Sequence, residues 1–204
     1  MTDTQAFSYG EVIRFGWEKT KQHIKFLALV LLGVWVIQFI FGFFQNQIDF
    51  WLVDLILGIG GWLVNLVVSL ALLTIALKIT DGGTPGTADL TVKLPLFKNY
   101  LVGSIYYGLI VLGGMLLLVI PGIIWAIQYQ FYPYAIVDKG ASPKEALAMS
   151  KQMTMGRRWR LFLFGSILGL LNLGGALLFG VGLLVTVPIS MIGMAYLYRK
   201  LSTR

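Results

Sequence analysis

The chain has no cysteine and a single histidine, His23, among its 204 residues. The lack of cysteine excludes a disulfide framework, a thiolate nucleophile and a cysteine metal site. Charge is also scarce, because only 12% of the residues are charged, about half the share of a typical soluble domain. Since 57% of the residues are hydrophobic, the chain has more apolar surface than a soluble fold of this length covers. The composition therefore predicts an integral membrane protein.

Glycine and basic residues are the classes that stand out. The 24 glycines are more typical of membrane helices, which tolerate glycine where helices approach closely. The net charge is +7, and the basic residues lie at the ends of apolar segments. This distribution favours membrane lipids with anionic headgroups as partners and gives no indication of nucleic acid.

Six apolar segments are candidates for membrane crossings, each of which needs about 20 residues. They are Phe26–Phe44, Trp51–Leu77, Tyr100–Ile120, Ile123–Val137, Leu161–Phe179 and Leu183–Tyr198. The fourth segment is short and contains Gln128, Gln130 and Pro133, so whether it crosses fully is open. The pattern predicts an all-α membrane protein with six transmembrane helices in three hairpins.

The positions of the sixteen basic residues predict the topology. If the N-terminus is cytoplasmic, all sixteen fall on the cytoplasmic side, as the positive-inside rule requires. The three outer connections, Gln45–Phe50, Pro121–Gly122 and Gly180–Gly182, then carry none. We therefore expect a multi-pass protein of the bacterial inner membrane with both termini in the cytoplasm.

Two polar stretches have the S-x-x-E pattern of a helix capping box, at Ser8–Glu11 and Ser142–Glu145. Each begins an amphipathic stretch that leads into a crossing, a pattern typical of a helix in the membrane interface. The stretch Asp89–Asn99 before the middle hairpin is weakly amphipathic and contains Pro95. We expect an internal repeat of three units, 8–79, 87–138 and 142–199, within one membrane domain spanning 1–204. The alternative is that any cytoplasmic entry to a crossing has this pattern.

The stretch from Pro121 to Arg160 and the ending Gly180–Leu201 resemble a bacterial family of multi-pass membrane proteins. That family is related to the membrane domain of glycerophosphoryl diester phosphodiesterases. The residues that carry the resemblance are Pro121, Gly122, Asp138, Glu145, Ala146, Leu147, Ser150, Gly182, Pro188, Tyr196 and Arg199. The family's catalytic domain, a separate soluble barrel, has no counterpart in this chain. The resemblance thus implies an inner-membrane helical fold without catalytic function.

Several positions inside the apolar segments are candidates for a polar site or for helix packing: Asp54, Asn65, Gln128, Gln130, Gly165, Gly169 and Asn172. Of the nine acidic residues, only Asp54 falls at membrane depth, and its neighbour Trp51 favours a position at the headgroups. Gln128 and Gln130 either line a cavity or belong to a short helix that ends at an aromatic belt. A membrane enzyme needs clustered carboxylates, histidines or a metal, so we expect no enzymatic activity, no metal and no cofactor.

The helix-packing candidates centre on the fifth crossing. Gly165 and Gly169 form a G-x-x-x-G pattern whose face continues to Asn172, which predicts helix–helix packing. Asn65 either pairs with a neighbouring helix or lines a polar pathway.

Five basic residues are candidates for anionic-lipid contact: Lys21, Lys25, Arg157, Arg158 and Arg160. The short outer connections and packing glycines favour a non-enzymatic scaffold or subunit of a membrane assembly, either a homo-oligomer or a larger complex. The alternative is a small transporter or lipid-handling protein with a polar cavity between hairpins, because transporters are often built from repeats.

Overall fold

The computed structural model describes residues 7–45 and 51–203, and every regular element in these ranges is a helix. The α-helices are α1 (Tyr9–Gln45), α2 (Trp51–Thr80), α3 (Phe97–Leu117), α4 (Val119–Tyr129), α5 (Tyr132–Lys139), α6 (Pro143–Thr154), α7 (Arg158–Leu177) and α8 (Leu183–Ser202). Two short 3₁₀ helices, Thr87–Leu90 and Leu94–Leu96, precede α3. Residues 46–50 of the first predicted outer connection and the basic residue Arg204 lie outside the described ranges. The predicted all-α class is confirmed.

Four helical stretches are long and apolar enough to cross a membrane. They are Tyr9–Phe43, Trp51–Thr80, Thr87–Leu117 and Arg158–Leu177. Large apolar side chains on them face outward, including Phe39 (75% exposed), Leu116 (88%) and Leu177 (76%). Exposing such side chains to water costs about 1.5–3 kcal/mol each, whereas a bilayer solvates them. The protein is therefore a membrane protein, and the predicted fourth and sixth crossings are not among these four stretches.

The predicted fourth crossing is divided between two helices. The prediction of a turn at Pro121–Gly122 is wrong, because α4 already begins at Val119 and the chain instead turns at Leu118, whose φ of −167° and ψ of 149° are extended. Proline is tolerated in the first turn of a helix, where its missing N–H has no partner to lose. The helix then ends at Tyr129, and α5 begins three residues later.

Helix α1 contains a break at His23, whose φ of −118° and ψ of 16° are not helical. The break separates the amphipathic first part from the apolar remainder. Helix α1 packs on α8, and this is the most extensive contact between two helices of the described chain. Gly16 makes this approach possible, since a Cβ there would lie 2.5 Å from the Ile189 carbonyl oxygen.

Two other glycine pairs hold consecutive helices together. A Cβ on Gly114 of α3 would lie 2.9 Å from the Cα of Gly122 in α4. A Cβ on Gly182, just before α8, would lie 2.7 Å from the Cα of Gly175 in α7. Such distances require backbone contact without side chains between the helices. Helices α3 and α4, and likewise α7 and α8, therefore pack directly against each other.

The buried core lies toward one end of the bundle. Its largest cluster joins Phe131 and Ile136 with Phe164 and Tyr198, all at most 1% exposed. A second cluster joins Leu27 with Ile75, Ile79 and Ile192. This end comprises the first part of α1, the last turns of α2, α5 and α8, and the first turn of α7. We call it the basic end, because each of these segments carries lysine or arginine.

Helix α6 lies across the junction between α4 and α5. The Ser150 hydroxyl donates to the Gln128 carbonyl oxygen (2.9 Å) and accepts from the Phe131 backbone N–H (3.0 Å). The Thr154 hydroxyl donates to the same carbonyl (3.0 Å). These bonds satisfy backbone groups that the break between the two helices leaves free.

The predicted capping box at the start of α6 is present. The Ser142 backbone N–H donates to Glu145 Oε2 (3.0 Å), and its hydroxyl donates to the same oxygen (2.7 Å).

Ser142→Ala is expected to lower the free energy of unfolding by about 1 kcal/mol, because the cap is lost. Thermal unfolding in mild detergent measures this. Lys144→Ala, in the same exposed turn, is the control, and an equal loss in both variants would contradict a capping role for Ser142.

Candidate functional site

Arg199 joins three helices at the basic end. Its Nε and Nη2 donate to the two carboxylate oxygens of Asp81 (2.9 and 2.7 Å), and its Nη1 lies 2.7 Å from Asp138 Oδ1. The Tyr198 hydroxyl donates to Asp138 Oδ2 (2.9 Å). Because Asp81 follows α2, Asp138 lies on α5 and Arg199 on α8, this group ties together three parts of the chain that are distant in sequence.

The electrostatics of this group favour its charged form. Partial burial on its own would lower the pKa of Arg199, but the hydrogen bonds with Asp81 and Asp138 raise it overall. The Arg199 side chain is 29% exposed and Asp138 is 16% exposed. Bidentate pairing of a guanidinium with a carboxylate fixes orientation as well as charge. This site is not predictable from the sequence, in which Asp138 and Arg199 carry only the family resemblance.

A second ion pair links the first turn of α1 to the end of α8. Lys200 Nζ pairs with Glu11 Oε1, and the Tyr196 hydroxyl donates to the same oxygen (2.7 Å). The hydrogen bond with Glu11 raises the pKa of Lys200. The Tyr196 ring also stacks on Phe15 of α1, with 4.2 Å between the ring centroids. This contact fixes the first part of α1 on α8.

A polar cavity of about 340 Å³ opens beside Arg199. It is lined by Thr74, Leu77, Lys78, Asp81, Gly83, Lys93, Val137, Asp138 and Arg199. Lys78 Nζ pairs with both carboxylate oxygens of Asp89 (2.9 and 2.8 Å). Lys93 has no ion pair within the described ranges. The cavity thus offers cationic and anionic groups side by side, which suits a small polar or zwitterionic group.

The five predicted lipid-contact residues have different environments. Arg160 donates to the Phe7 carbonyl oxygen (2.8 Å), and its guanidinium carbon lies 5.1 Å from the centre of the Phe7 ring. Arg157 lines a separate cavity of about 440 Å³ with Lys139. Lys21 Nζ lies 5.2 Å from the centre of the Trp17 ring. Lys25 is exposed on α1. Arg160 therefore has a structural contact within the chain.

Arg158 lines an apolar groove of about 310 Å³ between α4 and α7, which we call the α4–α7 groove. The other lining residues are Ile120, Ile123, Ile124, Ile127, Trp159 and Phe162. The Trp159 side chain is 69% exposed and stacks on Phe162, with 5.3 Å between the ring centroids. The groove therefore joins an apolar wall to a cationic side chain and an interfacial aromatic residue.

A second apolar groove, of about 340 Å³, lies between α1 and α2. Gly33 on α1 and Ala71 on α2 provide space between the helices, and Leu90 of the first 3₁₀ helix closes one end. No charged side chain lines it. This groove suits an acyl chain but has no group that would select a headgroup.

Two of the predicted intramembrane polar residues bind neighbouring helices. Asn65 Oδ1 accepts from Gln38 Nε2 of α1 (2.6 Å), and its own Nδ2 donates to the Gly61 carbonyl (3.0 Å). Asn172 Nδ2 is 3.0 Å from the Ser190 hydroxyl of α8. Neither lines any of the four cavities described above. For both residues, the contacts match the packing alternative of the sequence analysis.

Gln128, Gln130 and Asp54 form no common site. Gln128 is 5% exposed, and its carbonyl is the acceptor for α6. Gln130 Nε2 and Asp54 Oδ1 are buried atoms that have no hydrogen-bond partner within the described residues. In the same part of the chain, no group of three or more histidine, cysteine or acidic side chains has the arrangement of a metal site.

The predicted packing of the G-x-x-x-G face is not made within the described chain. Gly165 and Gly169 are exposed, and a Cβ on either would have no other atom within 4 Å. The glycines that do pack closely include Gly16, Gly114 and Gly175, to which the G-x-x-x-G pattern does not point. Gly165 and Gly169 therefore contact no other helix of the described chain, and helix–helix packing on this face stays a prediction.

The comparisons with known proteins identify relatives but no activity. An uncharacterised protein of Mycobacterium bovis is 34% identical over 136 residues, which is 64% of this chain and 40% of that protein. An uncharacterised protein of Mycobacterium tuberculosis strain H37Rv is 33% identical over the same length. No family model and no solved structure matches the chain. The chain thus spans about two fifths of the length of these curated relatives, to which it is similar over most of its own length.

Proposed function

We propose that the chain crosses the bacterial inner membrane six times in three hairpins, with both termini in the cytoplasm. The contacts at the basic end support this topology. Glu11 near the start of the chain pairs with Lys200 near its end, and Asp81 and Asp138 both bind Arg199. All of these residues belong to segments that the positive-inside rule assigns to one side. In this topology, α4 with α5 and α8 supply the fourth and sixth crossings.

We also infer that the three hairpins are units of an internal repeat, 8–79, 87–138 and 142–199. Support comes from a recurring pattern of contacts. The segment before each hairpin packs on the second arm of another hairpin: the first part of α1 on α8, the Thr87–Leu90 helix on α2, and α6 on α4 and α5. Membership of the family related to the phosphodiesterase membrane domain remains our hypothesis, and it implies this same non-catalytic membrane architecture.

The function that we propose is a non-enzymatic scaffold, or a subunit of a membrane assembly, with anionic-lipid contact at the basic end. One observation carries this proposal: the G-x-x-x-G face of α7 is open. Gly165 and Gly169 lie one helical turn apart on a stretch that is apolar enough to cross the membrane. In bilayers, faces of this kind allow close helix–helix approach and drive association between chains.

Ala176 is exposed, so a cysteine at this position makes self-association of the chain measurable by cross-linking. Ala176 lies on the same side of α7 as Gly169, about two turns further along. Because the chain has no cysteine, Ala176→Cys introduces a single thiol. In membranes this variant is expected to form a disulfide-linked dimer. Adding Gly169→Leu is expected to lower the dimer yield about tenfold, which corresponds to a loss of about 1.4 kcal/mol of association free energy.

Gly174→Leu is the matched control for this experiment. Gly174 lies on the same helix, is equally open, and points about 140° away from Gly169. It should leave the dimer yield unchanged. A monomeric Ala176→Cys protein, or an equal loss of dimer in both leucine variants, would exclude the α7 face as the assembly surface.

The polar cavity beside Arg199 favours a second candidate function, a lipid-handling protein or small transporter. Its walls come from α2, α5 and α8, which belong to three different hairpins in the proposed topology. Exchange of fluorescent phospholipid between leaflets of reconstituted vesicles tests this candidate. Exchange above that of protein-free vesicles, and its loss in Lys93→Gln, would support lipid handling; background rates would reject it.

A further inference from the structure

The α4–α7 groove has an apolar wall that follows one face of α4. Ile120, Ile124 and Ile127 are spaced as one side of a helix requires, and Phe162 of α7 forms the opposite wall. Ile120 remains 71% exposed and Ile124 38% exposed. No helix of the described chain covers this strip, so it faces the surrounding bilayer in the proposed topology.

Arg158 places a positive charge at the edge of this wall. Its Nε is buried and has no hydrogen-bond partner, and no carboxylate within the described ranges pairs with it. A guanidinium without a counter-ion at the edge of an apolar surface is costly unless an anion is bound beside it. Trp159, the adjacent residue, is of the type that lies at headgroup depth.

The neighbouring arginines do not share this position. Arg160 is held by the Phe7 carbonyl and ring. Arg157 lines the other cavity with Lys139 and Gln152. Of the three residues in the densest basic cluster, Arg158 is thus the one that lines the apolar groove, and the cluster is not a uniform charged surface.

We infer that the α4–α7 groove is a binding site for one anionic phospholipid of the cytoplasmic leaflet. An acyl chain lies along the isoleucines of α4, and the phosphate group binds Arg158. The inference rests on the proposed membrane orientation and on anionic-lipid contact at the basic end. The volume of about 310 Å³ lies within the range of about 300–1,000 Å³ that is usual for small-molecule sites.

A bound lipid also explains why an apolar groove and an unpaired cation occur together. A second copy of the chain would cover the isoleucines but would need a carboxylate to pair with Arg158. At the basic end, the carboxylates already have partners: Glu11, Glu18, Asp81, Asp89 and Asp138 pair with basic residues, and Glu145 accepts both Ser142 hydrogen bonds in the capping box. Anionic phospholipid supplies both the apolar chain and the negative charge.

Native mass spectrometry of the full chain in mild detergent tests this site, with phosphatidylglycerol and phosphatidylcholine of equal chain length as probes. The wild type is expected to retain one phosphatidylglycerol in preference to phosphatidylcholine. Arg158→Gln should weaken phosphatidylglycerol binding about fivefold, the factor given by about 1 kcal/mol per basic residue. Ile124→Trp, which fills the groove and keeps the charge, should weaken both lipids.

Arg157→Gln is the control, since it removes the same charge one residue away. Equal losses in Arg157→Gln and Arg158→Gln would mean a diffuse basic surface and overturn the inference, as would equal binding of the two lipids by the wild type. Unchanged binding in Ile124→Trp would place the lipid elsewhere. The mass of the assembly reports self-association and the number of lipid adducts reports the groove, so failure of one proposal is distinguishable from failure of the other.

Discussion

Arg199→Gln is expected to lower the free energy of unfolding by about 2–3 kcal/mol, the largest effect of any single charge removal in this protein. The substitution leaves Asp138, 16% exposed, with the Tyr198 hydroxyl as its remaining partner in the cluster. Removing one partner of a fully buried pair costs about 3–5 kcal/mol. The cost is smaller here because Asp81 is 49% exposed and regains water.

Two further variants identify the cause of this loss. Arg199→Lys keeps the charge but not the bidentate geometry, and should fall between the wild type and Arg199→Gln. Combining Arg199→Gln with Asp138→Asn should restore part of the stability, because the uncompensated carboxylate is gone. Thermal unfolding in detergent measures all three. A change below 0.5 kcal/mol in Arg199→Gln would show that the cluster contributes nothing to holding α2, α5 and α8 together.

The charge cluster illustrates what the sequence is unable to predict. Asp81, Asp138 and Arg199 are separated by 57 and 61 residues, and each lies at or near a helix end where charges are common. The positive-inside rule counts such residues as topology signals and does not indicate which of them pair. Their pairing depends on the lateral arrangement of the helices, which local pattern leaves undetermined.

The helices are predictable from composition, whereas the breaks between and within them are not. The apolar segments predicted from composition and length correspond to α1, α2, α3, α7 and α8. The middle of the chain is different, because the predicted turn at Pro121–Gly122 is absent and Pro121 is accommodated in the first turn of α4. The break after Tyr129 was not predicted either, since it is stabilised by Ser150 and Thr154 from α6, more than 18 residues away.

The glycines show the same limit of prediction from the sequence. Gly165 and Gly169 have the spacing typical of a packing motif, yet a Cβ on either would have no neighbour within 4 Å. Gly16, which lies in no such motif, makes one of the tightest backbone contacts. A glycine pattern predicts that two helices are able to approach closely, and tertiary structure determines whether the partner is in the same chain.

The two open features of α7 lie on one side of the helix. Arg158 and Gly165 are seven residues apart, close to two full turns, so the α4–α7 groove leads toward the open glycine face. A lipid held at Arg158 would therefore lie at the edge of the proposed assembly surface. Lipid occupancy and self-association are therefore expected to influence each other. The degree of self-association in vesicles should then depend on the lipid composition of the vesicles.

Gly16→Ala and Gly10→Ala are expected to change stability in opposite directions, although both replace glycine by alanine in the same helix. A Cβ on Gly16 would lie 2.5 Å from the Ile189 carbonyl oxygen, so α1 must move away from α8. Overpacking of this kind costs about 1–3 kcal/mol. At Gly10 the nearest atom is 4.0 Å away, and alanine should stabilise α1 by about 0.4–1 kcal/mol through the unfolded state.

An introduced disulfide tests whether α1 has moved. A Cβ on Gly193 of α8 would lie 3.4 Å from a methyl carbon of Val12, so Val12→Cys with Gly193→Cys should cross-link in this otherwise cysteine-free chain. Gly16→Ala should reduce the cross-linked fraction, and Gly10→Ala should not. If Gly16→Ala leaves both the unfolding temperature and the cross-link unchanged, then α1 is not held on α8 by backbone contact at Gly16. The side-chain contacts, among them the Glu11–Lys200 pair and the Phe15–Tyr196 stack, then hold the two helices together.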